Sequence, residues 1–143
     1  MITCRLLLCA QGVVRDADHG GISIFNIIEG VQAAGFPFFI QQMDVFTIFE
    51  REPGDPAQHE VRFRLAIGDT EIFVTPLAID FQTGLRNRST VRIQGLVLPS
   101  PGVLRVSVYV GENEIGVYTI GIEQIALPRV EAHQEPAGLE GGV

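Results

Sequence analysis

Lysine is missing from this chain: all ten basic residues are arginine. That excludes Schiff-base chemistry and the lysine of a phosphate-binding loop. Positive charge is scarce altogether, with a formal net charge of -7 and no basic run. Nucleic acid and anionic membranes demand positive patches, so neither is expected as a partner. Cysteine is limited to Cys4 and Cys9. On one extended strand they would point to opposite faces and lie ~17 Å apart at ~3.3 Å per residue. A disulfide needs Cα atoms within about 7 Å, so the two should not pair with each other. Unpaired thiols point to a reducing compartment, and a cytoplasmic location is the expectation. Long apolar runs are also lacking. No window approaches the ~18 residues of a membrane helix, and the apolar run in MITCRLLLCAQG is too short for a signal-peptide core.

What the chain does have is alternation. Apolar residues make up 46% of its 143 residues, enough for one core, while 16 glycines and 8 prolines are spread along it as turn formers. The stretch from Ser89 to Val110 shows the plan. Val91 and Ile93 share one parity, with Thr90, Arg92 and Gln94 on the other. After Pro99-Ser100-Pro101-Gly102, Leu104, Val106, Val108 and Val110 alternate with Arg105, Ser107 and Tyr109. Side chains of a strand alternate between faces, so both runs read as half-buried strands. The prolines cannot sit inside a ladder and so mark a corner.

The same pattern recurs elsewhere. Residues 3 to 14 form a first strand, with Cys4, Leu6, Leu8 and Ala10 on one face and Cys4 toward the core. Ile22 to Glu29 is a second, and Gly30 to Gly35 a short connection. Phe36 to Arg51 is a long third strand whose alternation breaks at Gln41-Gln42-Met43-Asp44. A bulge in a kinked edge strand, or a crossing between sheets, would produce that break, and Asp44 could otherwise line a site. His59 to Ile67 alternates cleanly. Pro76 places the strand from Glu71 to Ile79 at an edge or a bulge. Glu114 to Ile125 closes the set, with a parity shift near Val117 and Tyr118. The expected fold is an antiparallel two-sheet β-sandwich of about eight strands over residues 1–125. Residues 126–143, rich in Gly, Pro and Glu, read as a loose or partner-ordered tail.

The segments ADHGG-ISIFNIIEGV and GLVLPSPGVLRVSVYVGENEIG resemble a family of short uncharacterised bacterial proteins. The resemblance spans most of residues 3 to 125, although Ile22 stands where a polar residue often follows the acidic-glycine turn. It implies an immunoglobulin-like or C2-like sandwich. It implies no activity, cofactor or catalytic residue.

Chemistry-bearing residues are few. No serine lies in G-x-S-x-G, and His19, His59 and His133 are scattered. If strand direction alternates, one end of the sandwich collects Asp16, Asp18, Glu52, Asp55, Asp80 and Glu112. Of these, Asp16, Asp18, Asp55, Asp80 and Glu112 are calcium candidates, since hard cations take oxygen ligands from such loops. Acidic residues favour turns without any metal, so the solvated turn stands beside that reading. Phenylalanine is abundant, and Phe39 and Phe49 sit on the parity opposite Phe38 and Phe46. They would be buried by a partner or a second copy, or internally if the strand crosses between sheets. The strand from Ile72 to Ile79 could also extend a partner's sheet by edge pairing, with Pro76, the third interface candidate beside Phe39 and Phe49, limiting its reach. The expected function is a non-enzymatic protein-interaction or structural module, with no cofactor. The alternative is a calcium- or small-ligand-binding sandwich that uses the acidic loops.

Overall fold

A computed structural model describes residues 1–127. The proposed tail therefore lies almost wholly outside the described residues. Nine strands follow one another: β1 (Thr3–Arg15), β2 (Ile22–Ile27), β3 (Gly30–Ala33), β4 (Phe38–Glu50), β5 (Gln58–Ile67), β6 (Thr70–Asp80), β7 (Arg86–Leu98), β8 (Gly102–Val110) and β9 (Asn113–Gln124). They form two sheets, ordered β2-β1-β4-β7 and β3-β9-β8-β5-β6. The additional strand is β3, only four residues long, within the segment read as a connection. It pairs parallel to β9, so the second sheet is not purely antiparallel.

The core lies between the sheets. Met43, Val45, Phe49, Ile93, Leu96 and Leu98 enter it from the first sheet. Val61, Phe63, Leu65, Leu104, Val106, Val108, Ile120 and Ile122 enter from the second. The Pro99–Gly102 corner carries the chain from β7 in one sheet to β8 in the other. Pro76 sits on β6, an edge strand, opposite Arg62.

Three irregularities decide which side chains point inward. First, the β1–β4 register shifts between Cys4 and Leu6, leaving Arg5 as the extra residue. The faces exchange there. Cys4 and Leu7 pack on the core and Cys9 is fully buried in it, whereas Leu6 is exposed. The two thiols thus share the inner face rather than opposing ones, and both are free. Burial raises the Cys9 thiol to about 12. A thiol reagent should therefore leave Cys9 unmodified at pH 8 until urea unfolds the protein. Equal modification rates in folded and unfolded protein would contradict this burial.

Second, β8 and β9 shift register between Val108 and Tyr109, closer to the hairpin end than Val117 and Tyr118. Third, β4 is an interior strand, not a kinked edge, and its break is not a bulge in one strand. Ile40 pairs with Leu96 and Met43 with Ile93, so the β4–β7 register is the same on both sides of the break. Yet Phe38, Ile40, Leu96 and Leu98 meet the core on one side of it, as do Met43, Val45 and Ile93 on the other. Both strands have gained one residue at the same level. A one-residue bulge shifts the register, but two facing extra residues exchange the faces of both strands and leave it intact. Gly95 takes a φ of 78°, which glycine adopts at no steric cost.

The β1–β2 hairpin then leaves the first sheet. Pairing of β1 with β4 ends at Ala10 and Asp44. Beyond it, the Val13 amide donates to Asp44 Oδ2 at 2.9 Å. Arg88 Nη1 of β7 lies 3.5 Å from the Gly20 carbonyl in the hairpin turn. Arg15 also shares a shallow depression with Arg86, Asn87 and Arg88. Asp44 and Arg88 both project from the outer face of the sheet, so the hairpin must cross that face. This accounts for Phe46, which is outside the inter-sheet core but only 3% exposed.

Candidate functional site

Asp44 sits under the crossing hairpin with no exposed surface. Arg92, its cross-strand neighbour on β7, donates from Nε to Oδ1 at 3.0 Å and from Nη2 to Oδ2 at 3.1 Å. Asp44 in turn holds the Arg92 guanidinium above its ordinary value. With the Val13 amide, both carboxylate oxygens are engaged. Asp44 is thus the fastener between hairpin and sheet and lines no opening.

Asp16, Asp55 and Asp80 are engaged where they stand. Asp16 Oδ1 accepts from the Asp18 amide at 2.9 Å, and Oδ2 lies 3.3 Å from His19 Nδ1. Asp18 is exposed in that turn. Asp55 Oδ2 accepts from the Met1 ammonium at 2.6 Å and from the Glu52 amide at 2.9 Å. Asp80 Oδ1 accepts from the Gln82 amide at 2.8 Å. Glu112 is exposed in the turn between β8 and β9. Among the described residues, no three Asp, Glu, His or Cys side chains gather where they could hold a metal ion. Two of the loops, those holding Asp55 and Gln82, meet instead at Arg51, which the sequence did not single out. Its guanidinium donates to the carbonyls of Gly84, Asp55 and Gln82 at 2.8, 2.7 and 3.2 Å, and lies 5.5 Å from the centre of the Phe81 ring.

The Met1 ammonium and the Glu52 amide hold the Asp55 carboxyl below its ordinary value of 3.8. A carboxyl lowered by folding adds stability above the unfolded value, and this is lost as pH falls through the folded one. Asp55→Asn should therefore be less stable than wild type at pH 7, with the gap closing below about pH 4. Urea midpoints at pH 7 and pH 3 measure it; an unchanged gap would contradict the assignment.

The interface candidates part company. Phe49 has no exposed surface and belongs to the core between the sheets, so it can meet no partner. Phe39 is 59% exposed, opposite Val97 at 47%. Pro76 is exposed on β6. Phe39 borders an open groove of about 960 Å³ where the hairpin leaves β4. Phe38 to Gln42 of β4 and Gln94 and Gly95 of β7 form one wall, and Ile28, Gly30 and Val31 the other. Gln11, at the bend of β1, lies between them. The Tyr118 hydroxyl donates to the Ile28 carbonyl at 2.7 Å and ties the second wall to β9. Asn26 Nδ2 donates to Gln11 Oε1 at 2.6 Å, and Gln42 Nε2 to the Gln11 carbonyl at 3.1 Å. Among the described residues, none of those lining the groove is charged.

Two packed sheets, a hairpin folded over one of them and a groove beside its bend define an all-β protein. The chain belongs to a family of unknown function, DUF6941, whose model matches residues 5–123. None of the curated proteins matches. Among solved structures, it is similar to β-glucosidase from Listeria innocua in complex with glucose, at 10% identity and a TM-score of 0.48. The match covers 89% of this chain and 16% of that one. The same enzyme with gluconolactone gives a TM-score of 0.47 at 10% identity, over 89% and 16% of the two chains. The chain thus spans less than a fifth of these enzymes, and a likeness at that level bears on neither activity nor substrate. Among the described residues, no helix is long and apolar enough to cross a membrane.

Proposed function

We propose that this protein is a non-enzymatic β-sandwich, of the immunoglobulin-like or C2-like kind, that binds another polypeptide at the open groove beside Phe39. The observation that carries this is an apolar ring, 59% exposed, at the mouth of a pre-formed groove. Exposed apolar surface next to polar, uncharged groups is the usual anatomy of a contact site. The lining supports a binding role over a catalytic one, because amides, glycines and hydrocarbon side chains supply no nucleophile or general base. Free thiols fit a cytoplasmic setting.

The test is a photo-crosslinking amino acid at position 39, with one at the exposed Glu60 of β5 as the control. Mass spectrometry then identifies the joined peptides in an extract of the source cells. Adducts to one defined polypeptide from position 39 only, whether a second copy or another protein, support the reading. Equal capture from both positions, or none from position 39, overturns it.

A further inference from the structure

We infer that the groove takes an extended, uncharged polypeptide segment, which pairs as an added strand with the edge of β4 that β1 vacates. This rests on the reading above and names its partner's chemistry. β4 pairs with β7 along its whole length, from Phe38 to Glu50. It pairs with β1 only from Glu50 to Asp44, because β1 then turns away into the hairpin. Residues 38–43 thus keep one ladder and have an open side within a sheet. The β1 ladder stops short of them, and none of the turn and loop backbone bonds among the described residues reaches them. Alternate residues of a strand turn N–H and C=O to the same side, so about three residues present both groups to the slot.

The slot has the dimensions of a strand. Six residues at ~3.3 Å each give roughly 20 Å, the length of a common strand. The 960 Å³ groove lies at the upper end of ordinary ligand sites, about 300–1,000 Å³. The far wall includes residues of β3, itself an edge strand paired to β9.

Charge selects the occupant. The protein carries a net -7, yet every described side chain along the groove is neutral. A charged segment entering it would lose hydration and gain no counter-charge, whereas a neutral one would not. Open edges are usually blunted by charged side chains, and residues 38–43 have none. The bonds already made by Gln11 and Gln42 leave the Gln11 amide nitrogen and Gln42 Oε1 uncommitted among the described residues. One donates and the other accepts, which is what a peptide main chain offers in return. Phe39 supplies an apolar contact for an alternate side chain of the added strand.

The experiment is selection of a displayed random-heptapeptide library on the full chain, followed by binding and hydrogen exchange with the selected peptides. The expected peptides are uncharged, and a central proline weakens them at least tenfold. They should slow amide exchange within residues 38–43. Phe39→Ala should weaken binding at least tenfold while leaving the urea midpoint unchanged; Gln42→Glu, which also loses the bond to the Gln11 carbonyl, should weaken it at least tenfold in protein that stays folded, and Phe39→Ala alone suffices if Gln42→Glu folds poorly. Charged consensus peptides, protection elsewhere, indifference to proline, or no enrichment overturns the added strand. Crosslinking from position 39 without peptide enrichment leaves the interaction reading standing and removes only the strand. Absence of both removes both.

Discussion

Phe49→Ala is expected to cost about 3–5 kcal/mol of folding stability, the range for emptying a buried phenylalanine site. The ring has no exposed surface and packs in the core with β4 hydrogen-bonded on both sides, so neighbours cannot collapse into the space. Phe39→Ala, with the ring 59% exposed, should stay within about 0.5 kcal/mol of wild type. Urea midpoints at unchanged slope separate the two. A Phe49→Ala protein within about 1 kcal/mol of wild type would mean that the sheets do not pack there as described.

Asp44→Ala should cost about 2–3 kcal/mol, and its effect should be local as well as global. It leaves the Val13 amide without its acceptor and strips Arg92 of both charge-assisted bonds. Breaking a fully buried pair costs more, but Arg92 is 50% exposed and its charge can return to water. With the fastener gone, hydrogen exchange should accelerate across residues 11–27 before the rest of the sheet responds. Uniform acceleration through β4 and β7 would show that Asp44 stabilises the sheet itself, not the attachment of the hairpin.

Much of the fold is legible in the sequence where one face is wet. β5 and β8 alternate cleanly because Arg62, Arg64 and Arg105 mark the outside of Val61, Phe63, Leu65 and Leu104. β1 is less legible because Leu6, Leu7 and Leu8 are apolar on both parities, so nothing marks Arg5 as the extra residue. β3 escapes because four residues, two of them Gly and Ala, carry little pattern, and its parallel partner lies far along the chain. The site is harder still. Phe39 and Phe49 share a parity, and that alone groups them together. They end on opposite sides of the sheet because the faces exchange between them, at a place where the sequence shows only that alternation fails. Asp44 reads as a polar residue in an apolar row. Its burial depends on a hairpin returning over the sheet, which no local pattern encodes. The acidic end reads as a cation site because opposite charge is conspicuous; the carbonyls that organise it around Arg51 are invisible in a string of side chains.

The facing extra residues at the level of Gln41 and Gly95 also constrain how this chain can change by descent. Loss of Gln41 alone would turn Phe38 and Ile40 outward and bring Phe39 in, while β7 kept its present faces. Loss of Gly95 alone would likewise turn Leu96 and Leu98 outward, while β4 kept its present faces. Only a simultaneous deletion restores a plain two-stranded ladder. In any relative, a one-residue gap in β4 at this level should be matched by a gap in β7, some fifty positions later in the chain.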